Sequence, residues 1–244
     1  MCALGQILEE RGVATVVIGL VRPHMEKTGG PRGLWVPFPL GRPLGEPGDP
    51  AFQKRVLRAA LSLVERAPGA PVLEDFPDDA PSQREGGTWA PPFALPVPGK
   101  PQSAAAWADA LAAEMALVRP WADRARARFG RSTVGVSAQQ PEAWPAYAAA
   151  FLAGELPAPP ATIGSPALAV RFLADDLKAY YMEAAQSDGG MPSINQINDW
   201  LFRETVAGQF LVALRRVSLA SENNALKTAG GRFLVPAQWV PPQN

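Results

Sequence analysis

Five side chains near the start of the chain have the types needed for nucleophilic and acid–base chemistry. Cys2 is the only cysteine and His24 the only histidine among the 244 residues. A thiolate attacks carbon or sulfur centres, an imidazole exchanges protons near neutral pH, and Glu26 offers a second proton-exchanging group. Arg22 and Arg42 carry guanidinium groups, which bind carboxylates through paired hydrogen bonds. These residues predict thiol chemistry on a small anionic compound, with Cys2, His24 and Glu26 as catalytic residues and the two arginines as substrate contacts.

Each of these residues also has a purely structural interpretation. Cys2 could be a small buried hydrophobic residue, or it could lie at a helix N-terminus, where the helix dipole favours a thiolate. His24 could be a loop residue whose hydrogen bonds only hold the chain in place. Arg42 could be an ordinary surface residue, although an arginine in a rigid loop suits anion binding. The residue types alone leave these alternatives open.

The segments around these residues alternate between helical and extended patterns. A short helical pattern opens the chain, and the apolar, β-branched run 14–21 is typical of a strand buried in a parallel sheet. Residues 34–36 and 72–76 are predicted as further strands, and the apolar spacing of 51–66 predicts a helix between them. The N-terminal part is therefore predicted to be α/β, with a short parallel sheet of about three strands and helices packed on it.

The expected position of the site follows from this sheet. Ligands of open α/β sheets bind outside the carboxyl ends of the strands. The segment 21–27 is predicted as a loop that leaves the first strand at that end, and the loop with Arg42 leaves the second strand. In a parallel sheet these loops meet. The imidazole and the guanidinium groups would then lie along one edge, with Cys2 below or beside them.

Proline and glycine recur through the loop 37–49, which predicts an ordered loop of fixed shape. Gly41 and Gly45 are predicted to let backbone N–H groups of this loop surround an anionic substrate next to Arg42. The spacing of Gly41, Gly45 and Gly48 is not the dinucleotide-binding fingerprint. The sequence also shows no phosphate loop, serine nucleophile motif or zinc-ligand spacing. No cofactor and no metal ion is predicted.

Two carboxylates end the third predicted strand. Glu74 and Asp75 are adjacent, and by topology they come close to the segment that contains His24. Such a pair could exchange protons, bind a cation or contact the substrate. The alternative is that both side chains are solvated at the end of a strand.

The composition divides the chain into three predicted parts. Residues 1–80 are predicted to form the α/β domain, 81–103 a Pro- and Gly-rich linker or extended loop, and 104–244 a mainly α-helical domain. Ser103 and Ser165 are predicted to cap the first two long helices of this domain, because serine side chains accept hydrogen bonds from the first helical N–H groups.

Three further features of the helical part concern its later helices and loops. A capping box predicts a single helix over about 193–220, and the segment 131–136 could be a short strand. Asp176, Tyr180 and Glu183 fall on one face of a predicted helix. They could line a pocket, or they could belong to a charged outer face.

The overall composition excludes several classes of partner. The chain carries 23 basic and 23 acidic residues, and this balance indicates neither a nucleic acid nor a membrane partner. The sequence shows no signal peptide and no uninterrupted apolar stretch of about 18 residues. One cysteine cannot form an internal disulfide, and it suits a reducing compartment. A cytoplasmic protein with a small-molecule substrate is therefore expected.

Three short motifs within residues 1–80 resemble a known enzyme family. GVATV occupies 12–16 after a helix, PFPLGRPLG occupies 37–45, and PGD occupies 47–49. Together they resemble the C-terminal part of the selenoprotein B family of glycine, sarcosine, betaine and D-proline reductases, including its cysteine-containing homologues. PFPLGRPLG is the most specific of the three motifs.

The resemblance implies reductive cleavage of a carbon–nitrogen bond by a selenol or thiol. The family carries a selenocysteine or cysteine pair, spaced two apart, just before this helix. Cys2 matches the second member by position, and the first member and the upstream half of the family domain would fall before Met1. The chain would then be a truncated relative, or a subunit completed by a partner in a homo- or hetero-oligomer. The alternative is a non-catalytic subunit or a small-molecule-binding or oligomerisation module on the same scaffold.

Overall fold

A computed structural model gives the structure of residues 2–39, 41–66, 71–81, 88–99, 101–190 and 192–240. The chain divides into two compact units, residues 1–87 and 88–244. The first unit contains a three-stranded parallel sheet and the second unit is mostly helical, so the predicted fold class is confirmed. Among the described residues, no helix is both long and apolar enough to cross a membrane.

The sheet of the first unit has the order β1-β2-β3, with all neighbouring strands parallel. Its register aligns Val17 with Gly33 and Gly33 with Leu73, so these three residues face the same side of the sheet. The described strands and helices of this unit are, in chain order, α1 (Cys2–Glu9), β1 (Val17–Gly19), α2 (Arg22–Thr28), β2 (Arg32–Trp35), α3 (Pro50–Val64) and β3 (Val72–Asp75).

The segment after β1 differs from its prediction. Residues 21–27 were expected to form a loop, but α2 begins at Arg22 and places His24 and Glu26 on a helix. Pro23 lies in the first turn of α2, where its missing N–H costs no hydrogen bond and its fixed φ suits the helix. Gly29 then ends the helix in the left-handed conformation, at φ 56°.

The two faces of the sheet are covered differently. Helix α3 packs on one face, where Leu34 and Val36 of the β2 segment join Phe52, Val56 and other buried residues in one core cluster. Asp49 accepts a hydrogen bond of 2.9 Å from the Phe52 N–H and so caps α3. On the opposite face the strands carry Gly19 and Gly33, and α2 lies against these two glycines.

The second unit is built from six described helices around one large core. They are α4 (Ala104–Phe129), α5 (Trp144–Leu152), α6 (Pro166–Ala185), α7 (Ile194–Glu204), α8 (Val206–Ala220) and α9 (Asn224–Arg232). The predicted caps Ser103 and Ser165 accept hydrogen bonds from Ala106 N and Leu168 N, and Ser193 forms the predicted capping box. Aromatic residues from the Pro-rich segment before α4, including Trp89 and Phe93, pack against this core.

The single helix predicted over 193–220 is two helices, which meet at Thr205. The Thr205 hydroxyl donates to the Leu201 carbonyl and accepts from the Gly208 N–H, so it serves both helix ends. The buried carboxylate of Glu114 accepts hydrogen bonds from the N–H groups of Val206 and Ala207, at 2.8 and 3.0 Å. Because Glu114 comes from a distant helix, the local sequence around the break could not indicate it.

The segment 131–136, interpreted as a possible strand, is a loop fixed to α6 by two carboxylates. The fully buried Asp176 accepts from the N–H groups of residues 135, 136 and 137, at 2.7, 3.0 and 2.9 Å. Glu183 accepts from Ser132 and Thr133 in the same loop. Asp176 therefore belongs to the interior, so the interpretation of a charged outer face is wrong at this position.

Candidate functional site

Two grooves lie in the first unit, on the side of the sheet that α2 covers. The inner groove, of about 270 Å³, lies beside the strands, and its lining includes Cys2, Glu26, Gly30, Arg32 and Leu73. The edge groove, of about 490 Å³, follows β1, which is the first strand of the sheet. Its lining includes Cys2, Ile18, His24 and Lys27. Three residues line both grooves: Cys2, Val17 and Met25.

Cys2 lies where the start of α1 meets the end of α2. Its thiol is free and half-buried. A methyl group added at Gly30 would lie 3.4 Å from the Cys2 Cβ atom and 3.8 Å from its Sγ atom, so the sulfur is next to the turn that ends α2. The Gln6 side chain fixes this junction by donating to the Gly29 carbonyl at 3.2 Å. Cys2 is the first described residue of α1, next to N–H groups of the first helical turn that have no partner within the helix.

His24 lies on α2 and is exposed to solvent along the edge groove. Its backbone carbonyl accepts a hydrogen bond from the Thr28 hydroxyl, one helical turn later. No hydrogen bond from its imidazole to another described residue is present. The ring is therefore available to a molecule in the edge groove, which Cys2 also lines.

Arg22 connects α2 to the carboxyl end of β3. Its Nε atom donates to both carboxylate oxygens of Asp75, at 3.0 and 3.1 Å, and its Nη1 atom pairs with Glu26. The hydrogen bonds to Asp75 raise the pKa of Arg22, with smaller contributions from the charges of Asp75 and Glu26. All three side chains are half-exposed. The structure thus brings together Arg22, Glu26 and Asp75 as the sequence predicted, but their charged groups bind one another.

The glycine-rich loop after β2 lies apart from both grooves. Arg42 is exposed, its N–H donates to the Pro39 carbonyl at 3.0 Å, and its carbonyl accepts from Gly45 at 2.9 Å. Gly41 and Gly45 have φ values of 89° and 79°, which other residues rarely adopt. A methyl group at Gly45 would lie 2.4 Å from the ring of Phe52. The visible role of Gly45 is therefore to let the loop pack against α3.

Glu74 points away from the other predicted site residues. In β3 it is flanked by Leu73 and Asp75, whose side chains face the α2 side, so Glu74 faces the α3 side. Its carboxylate forms an ion pair with Arg66, just beyond α3. The structure thus groups Cys2, His24 and Glu26 around the grooves, and Arg22 and Asp75 at the end of β3, while Glu74 lies elsewhere.

An arginine that the sequence analysis missed belongs to the inner groove. Arg32 is only 5% exposed, pairs with the Glu9 carboxylate and donates to the Arg66 carbonyl at 3.0 Å. Glu9 also accepts from the Thr15 N–H at 2.6 Å, and this bond, followed by the bond from Arg32, holds the pKa of Glu9 below its usual value. The sequence feature that could have indicated this residue is its position, because an arginine at the start of an otherwise apolar strand is unusual.

The chemistry of this region is that of a thiol with nearby cationic and proton-exchanging groups. Within the residues described above, no group of three or more histidine, cysteine, aspartate or glutamate side chains is arranged to hold a metal ion. Cys2 can act as a nucleophile, and His24 can exchange a proton in the edge groove. Arg32 places a buried guanidinium, paired with the Glu9 carboxylate, beside the inner groove.

Comparison with known proteins gives a distant relative. Over 70 residues the chain is 30% identical to the D-proline reductase subunit gamma of Acetoanaerobium sticklandii, and the match covers 29% of this chain and 29% of that subunit. No protein-family model matches the chain, and no solved structure matches it significantly. The match supports a distant relation between this chain and the reductase family.

Proposed function

We propose that this chain is a subunit of a reductase-type enzyme in which Cys2 is the reacting thiol. The substrate is a small anionic compound that contains nitrogen or sulfur, and it binds in the grooves of the first unit. The observation that carries the proposal is the position of Cys2, which lines both grooves. It shares the edge groove with His24 and the inner groove with Glu26 and Arg32. The relation to a D-proline reductase subunit supports the reaction class.

The proposed roles follow from the surroundings of each side chain. His24 gives a proton to the leaving amine, because its imidazole is exposed in the groove that Cys2 lines. Arg32, which also pairs with Glu9, offers N–H donors to the substrate carboxylate beside the inner groove. Arg22 holds α2, and therefore His24 and Glu26, against the end of β3. The exposed Arg42 does not line either groove, so we assign it no contact with the substrate.

The reaction requires a second thiol. Reductive cleavage breaks a carbon–nitrogen bond, forms one C–H and one N–H bond, and consumes two electrons and two protons. Two thiols supply both electrons and both protons when they join as one disulfide. The chain has a single cysteine, so the second thiol comes from a partner subunit or from a small dithiol. This requirement agrees with a protein that works as a subunit in the reducing cytoplasm.

Protection of Cys2 from alkylation tests the proposed binding site. Iodoacetamide is added to the protein with increasing concentrations of glycine, sarcosine, betaine or D-proline, and intact-mass spectrometry follows the modification of the single cysteine. At least one of these acids should slow the alkylation in a saturable manner, because a bound substrate occupies the groove beside the sulfur. The corresponding amides, which lack the carboxylate, serve as controls and should protect less. Equal rates at every concentration of all four acids would contradict the proposed site.

A second candidate function is that of a non-catalytic contact subunit. Helix α1 exposes two large apolar side chains, Leu4 at 53% and Ile7 at 45%, in a molecule whose β1 strand is at one end of the sheet. Exposed apolar side chains next to a strand at a sheet edge favour association with another chain. Light scattering of the wild type and of the Leu4→Glu/Ile7→Lys variant tests this function. If the chain is a contact subunit, the wild type should form an oligomer or a complex with another protein, and the variant should not. A wild type that is monomeric, and that binds none of the proteins present during purification, would contradict this function.

A further inference from the structure

Met25 lies on the sheet and is one of the three residues that line both grooves. The side chain is 6% exposed and rests on two strands at once. A methyl group added at Gly19 of β1 would lie 2.1 Å from the Met25 sulfur, and one added at Gly33 of β2 would lie 2.8 Å from its Cε atom. The two glycines therefore leave the space that the methionine side chain fills.

The two grooves contact different strands beside this side chain. The edge groove takes its strand residues from the β1 segment, Val17 to Leu20. The inner groove includes Gly33 of β2 and reaches Val72 and Leu73 of β3. Because Met25 lines both grooves and its side chain covers Gly19 of β1 and Gly33 of β2, it forms part of the wall between them, together with Val17.

We propose that Met25 determines the size of the molecule that reaches Cys2, an inference that rests on the proposed function of the grooves. With Met25 in place, a ligand next to the sulfur occupies one groove of about 270 Å³ or the other of about 490 Å³. Shortening this side chain joins the two spaces beside Cys2. Methionine is unbranched and flexible, so it closes the gap over the two glycines without a rigid fit.

The single cysteine makes this proposal testable by alkylation, because any label reports on Cys2 alone. The rates of modification by iodoacetamide and by its bulky N-naphthyl derivative are compared for the wild type and for Met25→Ala, with each rate divided by that of free glutathione. Met25→Ala should raise the bulky-to-small rate ratio by about tenfold, which corresponds to roughly 1.4 kcal/mol in an activation barrier. Met25→Leu is the matched control, and because it conserves volume its ratio should stay within about twofold of the wild type.

Loss of structure gives a different result from loss of the wall. Unfolding exposes Cys2 to both reagents alike, so the ratio approaches that of glutathione, and circular dichroism identifies any variant that has unfolded. If Met25→Ala does not fold, Met25→Val shortens the same side chain and should give an intermediate ratio. An unchanged ratio in the folded alanine or valine variant overturns the proposal. The ratio of the two alkylation rates does not depend on a bound amino acid. Failure of amino acids to protect Cys2 would therefore contradict the proposed function and not the role of Met25.

Discussion

At the scale of single residues, the contacts separate the side chains that are free for chemistry from those that hold the fold. The thiol of Cys2 and the imidazole of His24 face grooves, whereas Asp75 and Glu26 are bound by Arg22. The sequence predicted the first two as reactive groups because each is the only residue of its type. It could not predict the pairing of Arg22 with Asp75, which are 53 positions apart and meet only through the sheet.

The buried carboxylate of Glu114 is predicted to be a main support of the second unit. It accepts from Val206 N, Ala207 N and the Tyr181 hydroxyl, so its removal leaves three buried donors without partners. A buried donor left unsatisfied costs about 1–3 kcal/mol, so Glu114→Ala should lower the free energy of unfolding by at least about 3 kcal/mol. Urea unfolding followed by circular dichroism measures this change. Glu142→Ala, which removes an exposed partner of Arg119, is the control and should cost at most about 1 kcal/mol.

Glu114 should also make stability depend on pH. Burial raises its pKa above 4.5, although the hydrogen bonds from Val206, Ala207 and Tyr181 act in the opposite direction. The protonated form is therefore favoured by folding, and its contribution is complete below pH 4.5 and is lost as the pH rises through the raised pKa. As the pH rises from 4.5 through the raised pKa, the free energy of unfolding of the wild type should fall relative to that of Glu114→Gln, whose side chain does not titrate. A difference between the two proteins that does not change with pH would contradict this assignment.

At the scale of elements, the most reliable predictions were those that depend on neighbouring residues. Ser103 and Ser165 cap the helices that their sequence patterns indicate, because an N-cap bond joins residues three positions apart. The first strand was also found, since the run 14–21 is apolar, β-branched and continuous. Helix α2 was missed because its seven residues are too few to show a periodic apolar face.

The close approach of α2 to the sheet depends on glycine in β1. A methyl group at position 19 would lie 2.1, 2.8 and 2.9 Å from the Sδ, Cγ and Cε atoms of Met25. Overpacking of this kind typically costs about 1–3 kcal/mol, so Gly19→Ala should lower the urea midpoint accordingly. Gly30→Ala is the control, because its methyl group would have an ordinary contact of 3.4 Å with Cys2. Combining Gly19→Ala with Met25→Ala should cost less than the sum of the single changes, and strict additivity would argue against this contact.

At the scale of the whole molecule, the chain joins a small α/β unit to a larger helical one. The fold class could be predicted because apolar runs in the first 80 residues change to helical spacing later in the chain. The position of the site could be predicted only in part, since parallel strands indicate their carboxyl ends as the usual place for ligands. Cys2 instead lies beside Gly30, which precedes β2, and the inner groove includes Arg32 and Val72, the first residues of β2 and β3.

The relation to a reductase subunit gives the whole molecule its proposed context. The match covers 29% of this chain and 29% of that subunit, so the proposed activity is assayed on the chain together with the subunits that co-purify with it. A chain with one cysteine cannot complete a two-thiol reduction by itself. We therefore expect turnover to require a dithiol or a partner subunit in the assay.

The most direct test of the account is amine release by the protein together with the subunits that co-purify with it, supplied with dithiothreitol and each candidate amino acid. The wild type and Cys2→Ser are compared, with the composition of both complexes checked by mass spectrometry and their folding by circular dichroism. The account predicts that Cys2→Ser reduces amine release to the background rate while complex composition and folding stay unchanged. An equal rate in the serine variant would show that the thiol of Cys2 is not the reacting group.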